Sequence, residues 1–250
     1  MILPGDIKKR LTVDQYDQMV ENGILPETNR LELIEGRVVE KARQSPPQVF
    51  SSESCREAVA DLVPAGWHVR CGNPVCVPAR DSEPEPDVSV VRGRIRDYCD
   101  HHPGPDDVAL VVEVVRWDVA EERRLAATYG GGGIPTYWIV NVAGRLLEVY
   151  ANPAGGAYPA PRILTETESV DLIIEGQVVG QIAVAPCSRK RKGVGNEHCD
   201  KATGQRDADR VHGRGVRCVR AADPSNPCAH SGTDGFRREG PGDHGERTGA

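Results

Sequence analysis

DVALVVEVVRWDVAEERRLAATYGGGGIPTYWIVNV, residues 107–142, opens on an apolar run from Val108 to Val115 that holds one charge, Glu113. A short run that rich in valine reads as a strand buried on both faces, where an unpaired carboxylate costs several kcal/mol or stays protonated. Glu113 therefore needs a partner or a function. A polar helical segment follows from about Asp118 to Tyr129, then a glycine run, then Thr136-Tyr137-Trp138-Ile139-Val140, whose aromatic and β-branched composition predicts a second strand. The stretch is a strand, helix, strand unit with a carboxylate inside its first strand.

Outward from this unit the chain is strand-rich. Upstream, Thr12 and Gln15 are spaced as a capping box for a first helix that ends at Gly23. Arg30 to Glu40 alternates apolar and charged residues around Gly36, which predicts a hairpin or bent strand pair carrying Glu32. Pro46-Pro47 reads as a turn and Ser52 to Leu62 as a helix stopped by Pro64. Trp67 to Arg70 reads as a strand continued at Val75 to Val77. In Glu83-Pro84-Glu85-Pro86-Asp87-Val88-Ser89-Val90-Val91 the prolines cannot donate to a ladder, so the strand begins at Asp87 and places that carboxylate at a strand entrance. Arg92 to Asp106 is a turn-rich connection. Downstream, 145–150, 162–164 and 170–174 read as strands, and 176–180 as a turn with a short strand. Strands outnumber helices, in a mixed α/β (α+β) order.

From Cys187 onward the large apolar residues other than cysteine are four valines and Phe236. Residues 187–250 therefore read as a disordered tail, and residues 1–186 as one domain. The abrupt change of composition also fits a late change of reading frame. The net charge is −6; the tail has 13 Lys/Arg against 9 Asp/Glu, which leaves the body acidic and the tail basic. An acidic body argues against broad, non-specific attraction to nucleic acid without excluding a local basic groove. Ser188-Arg189-Lys190-Arg191-Lys192 reads as a solvated basic linker. Eight cysteines with no C-x-x-C pair and no secretory leader predict reduced thiols in a cytoplasmic protein. No run approaches the roughly 20 apolar residues of a membrane helix.

The candidate constellation is Asp87 at one strand entrance, Glu113 inside the next strand and Glu32 upstream. Converging carboxylates with open coordination suit a hard cation such as Mg²⁺, which keeps several waters and bridges to a phosphate. The bland readings are a turn residue for Asp87, a solvated strand carboxylate for Glu32, and a Glu113 paired with Arg123 or Arg124.

In order, Arg30-Leu-Glu32-Leu-Ile-Glu-Gly36, Glu85-Pro-Asp87-Val-Ser-Val-Val, Leu110-Val-Val-Glu113-Val and Tyr129-x-x-x-Gly133-Ile-Pro-Thr-Tyr137-Trp138-Ile-Val resemble the motifs of the Uma-type restriction endonucleases. That family, formerly a domain of unknown function, belongs to the PD-(D/E)XK nuclease superfamily, and the resemblance spans about residues 11 to 184. It implies a restriction-endonuclease-like fold, a central mixed β-sheet flanked by helices, with metal-dependent hydrolysis of DNA phosphodiesters at the strand ends. It implies Asp87 and Glu113 as ligands of Mg²⁺ or Mn²⁺ and Glu32 as a third acidic site residue. A homodimer is compatible with it, since cutting two strands needs two sites.

This sequence departs from the pattern at the lysine. The general superfamily motif has one two residues after the acid, where Val115 stands. The family has one on the following helix, where Arg123-Arg124-Leu125-Ala126-Ala127-Thr128 stands. Arg123 and Arg124 are the candidate catalytic cations there, although arginine is a poor substitute where a lysine positions or deprotonates water. The rival to an active endonuclease is a catalytically degenerate protein that keeps the fold. Arg116-Trp117 at the helix start and the run Gly130 to Gly133 also depart from the family, and the run has no Gly-Lys-Ser/Thr that would make it a phosphate cradle.

Overall fold

The structure is a computed structural model, and it describes residues 10–25 and 30–187. The tail reading at 188–250 lies outside them. β5 (Val108–Val115) is buried at every position, as its apolar run requires. It is a central strand of a six-stranded sheet with β3 (Trp67–Arg70), β4 (Val88–Arg92), β6 (Thr136–Asn141), β7 (Leu146–Ala151) and β8 (Arg162–Thr165), in the order β3-β4-β5-β6-β7-β8. β5 and β6 are parallel, joined by helix α3 (Ala120–Gly132), and every other neighbouring pair is antiparallel. The sheet is therefore mixed, as the strand, helix, strand unit implies.

Alternation along β5 sends side chains into two cores. Leu110, Val112 and Val114 join Cys55, Val59, Trp138, Leu172 and Ile182 on one face, beneath helix α2 (Pro46–Ala60) and the hairpin of β9 (Ser169–Ile174) and β10 (Gln177–Ala183). Val111 and Val115 join Tyr129, Tyr137 and Tyr150 on the other, beneath α3. Glu113 stands between Val111 and Val115 and so shares the α3 face. A short helix α4 (Val184–Cys187) follows β10.

Helix α1 (Val13–Glu21) starts at the Thr12 and Gln15 capping box, and the chain then forms the hairpin β1 (Leu31–Ile34) and β2 (Arg37–Glu40). Glu35 and Gly36 turn it at positive φ. The turn is clasped to the body. Gly36 donates to the Asp81 carbonyl, and Glu35 Oε1 accepts from Arg80 Nε and Thr128 Oγ1 at 2.9 Å each. A side chain at position 36 would drive a Cβ to 2.5 Å from that of Arg10, so the close approach requires glycine as much as the left-handed backbone does.

Two expectations change. α2 begins at Pro46 rather than Ser52: Ser45 and Gln48 form its capping box, and the two prolines sit at the first helical positions, where no N–H is needed. Val75 to Val77 forms no ladder strand, only a single bridge from Val77 to Ser82 beside a 3₁₀ turn at Pro78–Arg80. The glycine run continues α3 to Gly132, with Gly133 as its left-handed cap. It is packed, not loose. A Cβ at Gly130 would lie 2.9 Å from the Tyr158 ring, and one at Gly132 2.3 Å from Val77 Cγ1. The body cysteines Cys71, Cys76 and Cys99 are free thiols. Among the described residues no helix is long and apolar enough to cross a membrane.

Candidate active site

The register that pairs Val88 with Val112 sets Asp87, one residue before β4, beside Glu113 of β5. Asp87 is held from both sides: Oδ2 accepts the Val114 N–H at 2.8 Å and Oδ1 accepts Gln44 Nε2 at 2.6 Å. Glu113 Oε1 accepts the buried Tyr129 hydroxyl of α3 at 3.0 Å. Glu32 arrives from β1 and its Oε1 accepts the Glu85 N–H at 3.0 Å. All three acids are buried, each no more than 7 % exposed.

Lys41, the residue after β2, closes the group. Its Nζ lies 3.3 Å from Glu32 Oε1, 3.3 Å from Glu113 Oε2 and 3.7 Å from Asp87 Oδ1, and it donates to the Glu85 carbonyl. Lys41 N–H also donates to the Arg30 carbonyl at 2.8 Å, which fixes the hairpin's open end over the site. The reading from sequence missed this lysine. Along the chain it is one more charge on an alternating strand, 72 residues from Glu113.

Both arginines proposed in its place are engaged elsewhere. Arg123 donates to Glu148 of β7 from Nε at 3.0 Å and from Nη2 at 2.6 Å, outside the cleft. Arg124 lines the cleft but pairs with Glu121 one turn back on α3. Glu113 is paired with Lys41, not with either arginine. Gln44 and Gln48 were also missed. Gln48 Nε2 donates to the Val114 carbonyl at 3.3 Å while its Oε1 accepts from Ser45, so the cap of α2 is tied to the strand beside Glu113. The Ser45-x-x-Gln48 spacing is the signal that could have placed that cap.

The electrostatics follow from three acids sharing one ammonium in a buried place. Burial pushes Glu113 up to about 8, with Asp87 and Glu32 adding to the rise and Lys41 and the Tyr129 hydroxyl opposing it. Burial also raises Asp87, against the pull of Lys41 and of the Val114 N–H. For Lys41 burial works the other way, but Glu113, Asp87 and Glu32 outweigh it and the ammonium holds its proton more tightly than a free lysine. Glu113, the acid with least access to solvent, is therefore the one that keeps its proton near neutral pH. With all three acids ionised, three carboxylates and one ammonium leave two formal negative charges, the charge that one divalent cation cancels.

The group forms the floor of a cleft of about 930 Å³, walled by the hairpin and by α3. Arg10 and Arg37 line it, and neither makes an ion pair among the described residues. No three His, Cys, Asp or Glu side chains among the described residues form a ready-made metal cage. A Mg²⁺ type of site takes one or two carboxylates and completes its shell with water and substrate oxygen. Two oxygen-only donors, Asp87 and Glu113, at an open cleft fit such an ion.

Residues 13–185 match a family model, Uma2, described as "Putative restriction endonuclease". The fold is similar to a solved structure described as "a putative nuclease belonging to DUF820 from Anabaena variabilis ATCC 29413", with a TM-score of 0.55 at 15% identity. The match covers 71% of this chain and 97% of that one. No curated protein matches.

Proposed function

The chain belongs to the Uma2 restriction-endonuclease family, and from that premise we propose that it hydrolyses DNA phosphodiester bonds with a divalent metal, Mg²⁺ or Mn²⁺, held by Asp87 and Glu113. The observation that carries the reading is the pair of buried carboxylates on neighbouring strands at the floor of an open cleft, with an ammonium among them. When bound, the ion polarises a phosphoryl oxygen and lowers the pKa of a water.

The rest is done by side chains. The Val114 N–H and the Tyr129 hydroxyl hold Asp87 and Glu113 in place, and taking up the ion costs Glu113 its contact with Lys41. Arg10 and Arg37 meet the phosphates flanking the bond, which makes binding weaken with salt. A water oxygen bonds to phosphorus, one P–O ester bond breaks, and the proton lost by the water ends on the departing oxygen. The products are a phosphate monoester and a hydroxyl end. The degenerate alternative rested on the missing lysine at 115 and 123–128, on Arg116-Trp117, on the glycine run and on the tail; Lys41 in the acid cluster speaks against the first of these grounds.

A test uses the full chain and a labelled DNA duplex. Mn²⁺ or Mg²⁺ should raise the melting midpoint and produce cleavage, and Asp87→Asn should abolish both. A wild type that gains no stability from either ion and leaves the duplex intact would contradict the reading.

A further inference from the structure

We propose that Lys41, delivered by the β1–β2 hairpin, is the working lysine of this site and sets its metal stoichiometry at one divalent ion. The inference rests on the nuclease reading above and assigns a part of its machinery.

Position is the first argument. Alternation along β5 puts Val115 on the face of Glu113, yet Val115 is an apolar member of the core beneath α3. Among residues 118–129 of the connecting segment no lysine occurs. The described cation in contact with all three acids is Lys41, whose side chain is only 15% exposed. A long, flexible ammonium is rarely kept that far from water without a task or a dense set of partners.

Division of its partners is the second argument. Glu32 Oε1 and the Glu85 carbonyl anchor Lys41 from outside the proposed metal pair. The contact to Glu113 Oε2, at 3.3 Å, is the one a metal on Glu113 replaces. That replacement turns one N–H outward, toward a phosphate oxygen or the attacking water. Glu32 is then the tether of the lysine, not a third ligand. Its Oε1 is taken by Lys41 Nζ and by the Glu85 N–H.

Charge is the third. With Lys41 present and all three acids ionised, as a cation bound to them favours, the group lacks two positive charges, and one divalent ion neutralises it. A second ion would leave the buried site with an excess positive charge and would have to displace the ammonium from its three acids. Removing the lysine leaves three uncompensated carboxylates. Metal should then bind more tightly while the group that contacts the phosphate is gone, and these opposite movements separate a catalytic lysine from a merely structural one.

The experiment titrates Mn²⁺ into wild type, Lys41→Met and Lys41→Arg, with calorimetry for affinity and stoichiometry, and measures duplex cleavage on the same preparations. Circular dichroism checks that each is folded. Wild type should bind one Mn²⁺ per chain. Lys41→Met should bind Mn²⁺ at least as tightly as wild type and lose roughly 10²–10⁴ in cleavage rate. Lys41→Arg should keep a stoichiometry of one and recover part of the rate. Two ions bound to wild type, wild-type cleavage by Lys41→Met, or loss of metal affinity in step with cleavage would each overturn the proposal. If Lys41→Met does not fold, Lys41→Arg decides: full wild-type cleavage or a second bound ion overturns it. A wild type that binds one Mn²⁺ and leaves DNA intact removes the nuclease reading and with it the catalytic part; the charge balance is then upheld or overturned by the Mn²⁺ affinity of Lys41→Met alone.

Discussion

Glu83 shows how this chain concentrates negative charge away from water. It is buried, its nearest cation is His102 at 3.9 Å, and its backbone N–H donates to Leu33 of the hairpin at 2.7 Å. Burial, with Asp17 and Glu85 nearby, pushes its carboxyl up to about 7, and burial with Arg70 and His101 lowers His102, so the histidine is a weak partner. A raised acid means the folded state holds the proton that the unfolded chain has released. Its contribution is thus fully present below the unfolded value near 4.5 and is lost as pH rises toward about 7. Glu83→Gln should be the more stable protein at pH 7.5, by on the order of 1–2 kcal/mol, with the gap closing by pH 4.5. Urea melts at the two pH values check this, and an unchanged gap would contradict it. At the same scale Asp87 and Glu113 were legible from sequence, because a carboxylate inside a valine run or at a strand entrance is anomalous. Lys41 was not. A charged residue at the end of an alternating strand is ordinary, and only the docking of the hairpin brings it to the acids.

Elements were legible where one periodicity ruled. β5, α3, β6 and the capped α1 follow from pattern and cap chemistry. The start of α2 was hidden because Pro46-Pro47 signals a turn and a helix N-terminus equally well, and Ser45 with Gln48 breaks the tie only once the capping box is weighed. Val75 to Val77 has strand composition, but its N–H groups go to the carbonyls of Pro84, Pro103 and Ser82, on separate parts of the chain, so no ladder forms. For the glycine run, sequence shows small side chains in a helix, where propensity favours replacing them, but not what presses on them. Packing gives the opposite prediction. Gly132→Ala raises helix propensity by up to about 1 kcal/mol, yet its Cβ meets Cγ1 of the fully buried Val77 at 2.3 Å. The substitution should therefore destabilise by about 1–3 kcal/mol in urea melts. A neutral or stabilised Gly132→Ala would show that Val77 yields freely. Arg116-Trp117, a departure at the start of α3, forms an exposed stacked pair with the guanidinium 4.8 Å from the ring, and nothing else in the structure explains it.

At the scale of the whole chain, the acidic body and the proposed DNA substrate are reconciled by placement. In the proposed reading a divalent ion neutralises the excess acid of the cleft floor, and Arg10 and Arg37 lie at its walls. Family membership spans residues 13–185, and the fold that brings Glu32, Lys41, Asp87 and Glu113 together lies within that span. The most direct measurement is a time course of supercoiled plasmid with the full-length chain, in Mg²⁺, in Mn²⁺ and with the ions chelated. The account predicts conversion to nicked or linear plasmid with either ion, none after chelation, and none by Asp87→Asn. Plasmid left supercoiled by wild type in both ions, or cut equally well by Asp87→Asn, would contradict it.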